Sequence, residues 1–423
     1  QRTQHGTSSC LINTTNLHVV FHFLAVLTVI GKKNSRDLLQ RIEEKLVEIT
    51  EGTTKILVPE KSLDEKVPPK EPAFFNPAAK LNRDFSILAY SAFWENFDKP
   101  KIFLDGLAGL GARSLRVANE IPDVEAVVAN DINSEGLNIA LDSMKLNEIS
   151  NLDISEKEIC QFFGSYSKKG KRGSIVDVDP FGSPTKYFDC AIRATMHGGM
   201  LSVTATDLQV LHGLSKRSCQ RKYHGVPIKT EYSNEIAIRL ILGCLEYVAG
   251  RLDIQIIPQF VQHDMHYYRA YLKILNKPGQ KEQLGYIVHC KSCGSRKSVM
   301  KQETCNICNS KTDVAGPLWI GQLFEKEFVM KMNEMVPKLA VDKRCEKILE
   351  KCILESEMPP IGPFEYAPYY TLDEIASKMQ KAPLKMKNMI KKLQDAGFLA
   401  SPTSLNPTGF RTNCTIDKIV KII

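Results

Sequence analysis

Between residues 101 and 204 the chain alternates short apolar runs with longer amphipathic ones, and that alternation limits the fold more than any other feature. Lys101–Leu104 reads as a strand that enters a glycine-rich loop, Asp105-Gly-Leu-Ala-Gly-Leu-Gly111, and a helix follows to about Glu120. Glu125–Ala129 is a second strand, closed by Asn130-Asp131, and Ile132–Leu146 a second helix. Ser174–Asp179 and Gly199–Thr204 are later strands. Strands that alternate with helices pair in parallel, because each crossover helix returns the chain to the same end of the sheet. We therefore expect an α/β fold with a doubly wound, Rossmann-like sheet whose ligands sit at the carboxyl ends of its strands.

The loop after the first strand carries Gly106, Gly109 and Gly111, which let the backbone turn tightly and approach a ligand. Asp131, twenty residues beyond Gly111 and at the end of the next strand, suits a ribose diol. An empty strand-to-helix turn gives the same pattern, and so does a nicotinamide enzyme. The glycine order is G-x-x-G-x-G, whereas the dinucleotide fingerprint is G-x-G-x-x-G. That departure leans toward a cofactor without a pyrophosphate, such as S-adenosylmethionine.

The run Ile175-Val-Asp-Val-Asp-Pro-Phe-Gly-Ser-Pro184 puts Asp179 at the end of a buried strand. Methyl transfer to an amine needs alignment and removal of a proton more than covalent help. The exocyclic amine of a nucleobase is a poor nucleophile because its lone pair is delocalised. A carboxylate that accepts its N–H bonds localises that pair and can take the proton. Asp179 suits this role. Pro180 fixes the turn and leaves the carbonyls before it free for a second N–H, and Phe181 offers a ring for a flipped base. An Asx-type turn at a strand end is the plain alternative.

Four stretches resemble the tRNA guanine-N2 dimethyltransferase family, which acts on position 26 of tRNA, and its archaeal members in particular. They are Phe75-Asn-Pro with Leu81-Asn-Arg-Asp84, the loop Asp105–Arg113, Asp179–Pro184, and Arg221–Tyr232. The resemblance implies a class I methyltransferase that transfers one or two methyl groups to guanine N2, with tRNA as partner. It implies that Arg83, Asp105 and Arg113 contact S-adenosylmethionine, the two arginines at its carboxylate end. Asp131 would hold the ribose, Asp179 would be the catalytic carboxylate, and Phe75 and Phe181 would sandwich the guanine. The family usually shows Asp-Ala where the adenine ring is held; Ile159-Cys160 align there and bring no acid.

After Asn276 the composition shifts to Lys, Gly, Ser and Cys. Cys290-Lys-Ser-Cys293 and Cys305-Asn-Ile-Cys308 stand eleven residues apart. Two such knuckles supply four thiolates to a closed, structural zinc site, with Tyr286–His289 and Arg296–Met300 as ribbon strands. Free reduced thiols are the alternative, and an iron–sulfur cluster uses other spacings. Residues 322–358 read as helical. Residues 368–423 read as helix, turn, helix and hairpin: Thr371 caps a helix with Leu372, Ile375 and Met379 inward, a Lys-rich helix spans Pro383–Asp395, Gly397 ends it, and two strands flank Asn406–Gly409. This outlines a winged helix.

The expected organisation is thus a methyltransferase domain over 36–276 and a smaller α+β tRNA-binding domain over 277–423, with the zinc module at about 286–312 and the winged-helix-like end at about 368–423. Residues 1–35 are read as an extraneous or poorly ordered segment; Leu17–Ile30 is apolar but short for a bilayer span. Ser35–Ile49 reads as a helix from the spacing of Leu38, Leu39, Ile42, Leu46 and Ile49, and Glu60–Pro72 as a loop. Net charge is +8, which permits a polyanionic partner. Lys216–Lys222 and Lys385–Lys392 are candidate phosphate contacts, though a solvated face explains charge runs as well. His197 and the run His263–Arg269 are read as structural. The twelve cysteines fit a reducing cytosol with one metal site. We expect a cytoplasmic monomer that needs no membrane. A DNA amino-methyltransferase, or a non-catalytic zinc-ribbon and winged-helix RNA binder, are the competing readings.

Overall fold

The computed structural model describes residues 45–280, 283–301, 304–358 and 367–423. It opens with a hairpin of β1 (Leu46–Glu51) and β2 (Thr54–Pro59), paired from Leu46↔Pro59 to Glu51↔Thr54. The helix expected over 35–49 is therefore corrected where it is described, and its residues up to 44 lie outside the described chain. Val47, Ile49 and Thr50 are β-branched, and Gly52, at φ +60°, closes a turn that gives them a partner strand. The expected loop after β2 holds one short helix, α1 (Lys61–Asp64).

Next comes α2 (Lys80–Trp94), nearly all of it buried, then β3 (Ile102–Asp105), α3 (Ala112–Glu120), β4 (Ala126–Asp131), α4 (Ser134–Leu146), β5 (Leu152–Glu156), α5 (Ile159–Ser165), β6 (Gly173–Val178), α6 (Phe188–Ala194) and β7 (Thr195–Ala205). Three helices, α7 (Leu208–Leu211), α8 (Lys216–Tyr223) and α9 (Ser233–Gly250), lead to β8 (Gln255–Asp264) and β9 (Tyr267–Leu275). Among the described residues seven strands form the central sheet, in the order β5-β4-β3-β6-β7-β9-β8. The first five are parallel, but β9 runs antiparallel to both neighbours. The sheet is therefore mixed, a departure from an all-parallel reading. The run His263–Arg269 is the reason: it ends β8, turns at Met265-His266 and begins β9, a hairpin that needs no crossover. The strand order reverses between β3 and β6, the point at which sheets of this kind usually take a ligand.

Charge is buried only in pairs around α2. Arg83 is bidentate to Glu51 at 2.7 and 2.6 Å, and Arg116 joins Asp84 at 2.6 Å and Glu120 at 2.9 Å. These bonds fasten the hairpin, α2 and α3 together, and they explain three adjacent polar residues, Asn82, Arg83 and Asp84, on a buried helix turn.

The shift in composition after Asn276 falls just beyond β9. A ribbon of β10 (Leu284–His289), β11 (Arg296–Val299) and β12 (Asp313–Trp319) has the order β11-β10-β12. The helices α10 (Lys326–Met335) and α11 (Arg344–Ser356) follow, and one apolar core runs from Phe85 and Phe260 through Phe324 and Met332 to Cys352. The last segment is β13 (Tyr370–Thr371), α12 (Leu372–Met379), α13 (Met386–Asp395), β14 (Ala400–Pro402), β15 (Gly409–Thr412) and α14 (Ile416–Ile422), with its own small core of Tyr370, Ile375, Met389, Leu393 and Phe410. Thr371 caps α12 by accepting from the Glu374 N–H at 3.1 Å, and Gly397 ends α13 at φ +83°. The winged-helix outline is present.

Two buried junctions tie this end to the rest. Arg296 stacks between the rings of Tyr232 and Tyr370, 4.5 and 4.3 Å from their centroids, and pairs with Glu374. Arg411 on β15 meets Glu355 and Glu235, and Arg239 meets Glu235 at 2.9 Å. Among the described residues no helix is long and apolar enough to cross a membrane.

Candidate active site

At the reversal point the carboxyl ends of β3 and β6 bring three carboxylates together. Asp177, the next-to-last residue of β6, is fully buried. It accepts from Arg113 Nη1 at 2.7 Å and from the Tyr90 hydroxyl at 3.0 Å, and it also pairs with Arg269 and Ser202. Burial pushes its carboxyl up, but Arg113 and Arg269 outweigh that and hold it below the usual range. Asp105, at the end of β3, accepts from Ser114 at 2.7 Å. Burial, and then the charge of Asp177, push its carboxyl up to about 7.

Asp179 follows β6 directly. Arg113 Nη2 donates to its Oδ2 at 2.6 Å and to Asn82 Oδ1 at 2.8 Å, while Arg113 Nε reaches Ser86. Four of the five N–H groups of Arg113 are thus taken by protein acceptors, which fix the guanidinium that holds Asp179. Oδ1 of Asp179 has no partner among the described residues, and the side chain keeps about 26% of its exposure. The following turn is pinned to β7, since Gly182 N–H donates to Thr206 Oγ1 at 2.7 Å and Thr206 N–H returns to Gly182 O at 2.9 Å. Phe181 is held out of that turn, 65% exposed.

The aromatic ring facing Phe181 is Phe74, edge-on with centroids 4.8 Å apart at 82°. Phe75 is only 2% exposed and lies under the Arg83 guanidinium, 4.9 Å from it. The pairing of Phe75 with Phe181 is therefore corrected by one position. In a Phe-Phe pair on extended chain one ring faces inward and the other outward, and sequence alone does not say which.

Beside the carboxylates, β4 and α5 frame the glycine loop. Asp131 accepts the Gly109 N–H at 2.8 Å and the Asn133 N–H at 2.9 Å, one on each oxygen, so each retains a second lone pair. Gly111 has φ +78°, and a Cβ there would stand 2.9 Å from that of Ala140. Asn130 bonds Gly106 O and Lys157 O, which ties the glycine loop to the start of α5. Ile159 is buried against this loop. Cys160 is bonded to Cys190 in a disulfide, which corrects the expectation of thiols throughout: α5 and α6 are neighbours, and their Cα atoms stand 5.5 Å apart. An acid, Glu158, stands one residue before Ile159. Glu158 caps α5 by accepting from the Cys160 and Gln161 N–H groups with one oxygen and is otherwise exposed. Its position at a helix N-terminus next to a strand end is a signal the sequence contained.

Arg83 does not join these groups directly; Glu51 and Asn76 O take its Nε and Nη2. In the ribbon the sulfurs of Cys290, Cys293, Cys305 and Cys308 all lie within 4.8 Å of one another. A tetrahedral zinc with bonds of about 2.3 Å spaces its sulfurs about 3.8 Å apart, so the set fits that ion. Each knuckle turns on a left-handed residue after its second cysteine, Gly294 at φ +82° and Asn309 at φ +57°.

A family model described as N2,N2-dimethylguanosine tRNA methyltransferase matches residues 52–423. A tRNA (guanine(26)-N(2))-dimethyltransferase of Methanosphaera stadtmanae is 31% identical over 387 residues, 89% of this chain and 96% of that protein. The protein of the same name from Methanobrevibacter smithii is 32% identical over 396 residues, 90% of this chain and 98% of its own. The solved structure of Trm1 from Pyrococcus horikoshii with S-adenosyl-L-methionine aligns at a TM-score of 0.76 and 27% identity, covering 89% of this chain and all of that one.

Proposed function

The chain belongs to the N2,N2-dimethylguanosine tRNA methyltransferase family, and on that premise we propose that it methylates the exocyclic N2 of guanine 26 in tRNA, once and then again, with Asp179 as the carboxylate that holds the amine. The observation that carries the reading is the placement of Asp179. One oxygen is locked to Arg113, the other is open, and the exposed ring of Phe181 stands two residues on.

S-adenosylmethionine, when bound, supplies a methyl group on a sulfonium that is already a good leaving group. The chain's own residues do the rest. The glycine loop from Asp105 to Gly111 and the carboxylate of Asp131 form the nucleoside cradle, with the remaining lone pairs of Asp131 directed to a ribose diol. Glu158, beside Ile159 and Cys160, accepts from the adenine amine with the oxygen that does not cap α5. Arg83 keeps Nη1 for the cofactor's carboxylate and holds Phe75 as the floor beneath Phe74. Phe74 and Phe181 separate to admit the flipped guanine between them, which replaces their edge contact with two stacking faces. Oδ1 of Asp179 accepts one N–H of the amine, localises its lone pair and takes the proton as the new N–C bond forms. A monomethyl amine still has one N–H, so the same carboxylate can hold it for the second transfer.

The four cysteines would hold a structural zinc, since four thiolates leave no open position. The ribbon and the winged-helix-like end would carry tRNA contacts, with Lys385, Lys387, Lys391 and Lys392 on or next to α13 and Lys216 to Lys222 on α8 at phosphates.

The test is nucleoside mass analysis of a tRNA transcript incubated with the full chain and labelled S-adenosylmethionine, beside a transcript with adenine at position 26. Label in N2-methyl and N2,N2-dimethylguanosine from the first only is the expected result. Label that appears equally in both transcripts, or in DNA, would overturn the assignment.

A further inference from the structure

At the end of the sheet opposite Asp179, four adjacent strands deliver polar residues to one hollow, and from three of them the residue is Lys, Arg or His. Lys99 precedes β3, Arg172 precedes β6, His197 lies near the start of β7, and Asn276 follows β9, which runs the other way. With Lys169 from the turn before β6, these residues surround a cavity of about 490 Å³, a size usual for small-ligand sites. No Asp or Glu lines it. Since β6 is six residues long, the hollow lies roughly 20 Å from Asp179 and is separate from the site described above.

The donors are held in place and still have capacity. Lys99 Nζ is fixed by the His197 carbonyl at 2.9 Å and keeps two further N–H bonds. Arg172 Nε is fixed by the Ser167 carbonyl at 3.1 Å, and its two terminal nitrogens have no acceptor among the described residues. His197 Nδ1 accepts the Asn276 N–H at 2.9 Å, so in the neutral ring the proton is on Nε2, as a donor. Lys169 makes no ion pair among the described residues, and Gly170 beside it, at φ +84°, has nothing within 4 Å of where a Cβ would stand. Fixed cations without carboxylate partners repel one another, and a polyvalent anion relieves that. A guanidinium fork with two free nitrogens suits phosphate oxygens in particular.

We propose that this hollow is a binding site for phosphate groups, supplied either by the backbone of the substrate RNA or by a free nucleoside polyphosphate. Only the RNA source rests on the proposed function; the anion chemistry stands apart from methyl transfer. The phosphates bridge Arg172, Lys99 and Lys169, with His197 Nε2 donating at the rim.

The experiment compares the full chain with its Lys169→Ala/Arg172→Ala double variant, using inorganic tripolyphosphate in titration calorimetry and tRNA binding between about 50 and 200 mM salt. At least tenfold weaker tripolyphosphate binding with unchanged tRNA affinity assigns the site to a free polyphosphate. Weaker tRNA binding, with a log–log salt slope shallower by about two, assigns it to the RNA backbone. Loss of both supports one site open to either source. Unchanged binding of both overturns the proposal. Lys169→Glu, at an exposed side chain, guards against misfolding and should weaken the same ligand. Methyl transfer at saturating tRNA should be unchanged in every variant; if the wild-type chain shows none, the tripolyphosphate arm still reads the hollow.

Discussion

Asp177 and Asp179 share one guanidinium: Arg113 donates to the first at 2.7 Å and to the second at 2.6 Å. The first carboxylate is buried and shared with Arg269, whereas the second is open on its other oxygen. Replacing Asp179 with Asn should cut methyl transfer by about 10²-fold or more while tRNA affinity stays within about twofold. Single-turnover rates beside filter binding check this. Arg113→Met should behave differently, because it leaves buried carboxylates uncompensated. We expect it to destabilise the fold by about 3–5 kcal/mol in urea titrations.

Phe74 and Phe75 separate the recognition of a base from packing. Phe74→Ala should leave stability within about 1 kcal/mol, because Phe74 is only half-buried against the exposed Phe181, and should lower kcat/KM for tRNA at least tenfold. Phe75→Ala empties a buried position and should cost about 3–5 kcal/mol in chemical denaturation.

Asp105 carries a pH signature. Its folded-state carboxyl lies at about 7, above its unfolded value, so the folded state binds more protons between roughly pH 4 and 7. The contribution of Asp105 to stability, relative to an Asp105→Asn variant, should therefore fall as pH rises through that window and level off above it. Denaturation of both proteins at about pH 5 and about pH 7.5 measures the difference. A gap that widens in favour of wild type at the higher pH would contradict this.

Elemental analysis should find one zinc per chain. Cys293→Ser or a strong chelator should remove it and lower the thermal midpoint by several degrees. The effect should extend to the winged-helix-like end, because Arg296 of the ribbon is stacked on Tyr370 there. Hydrogen exchange over residues 370–412 reads this directly.

Much of the central sheet was legible because its signals are local. The apolar run of β6 and the glycines after β3 state their own geometry, and the two CxxC pairs their own ligand set. What was not legible depends on partners distant in sequence. The segment after residue 45 reads as helix until β2 is seen to pair with it, and that same hairpin carries Glu51, the residue that takes Arg83 away from solvent. Phe74 and Phe75 are chemically identical, so only the inward turn of the chain distinguishes them. Cys160 and Cys190 lie thirty residues apart, and their meeting depends on the packing of α5 against α6.

The stacking of Arg296 between Tyr232 and Tyr370 has a mechanical consequence. A hinge needs slack, and a cation held between two rings, with a buried carboxylate behind it, has little. The ribbon, the terminal wing and the sheet should then turn as one frame, so that the span from any RNA grip on the wing to Asp179 is constant. With RNA held on the wing, such a frame would choose its nucleotide as a gauge does, by distance along the RNA, and would ask of the sequence only that the base at that distance be one its pocket accepts.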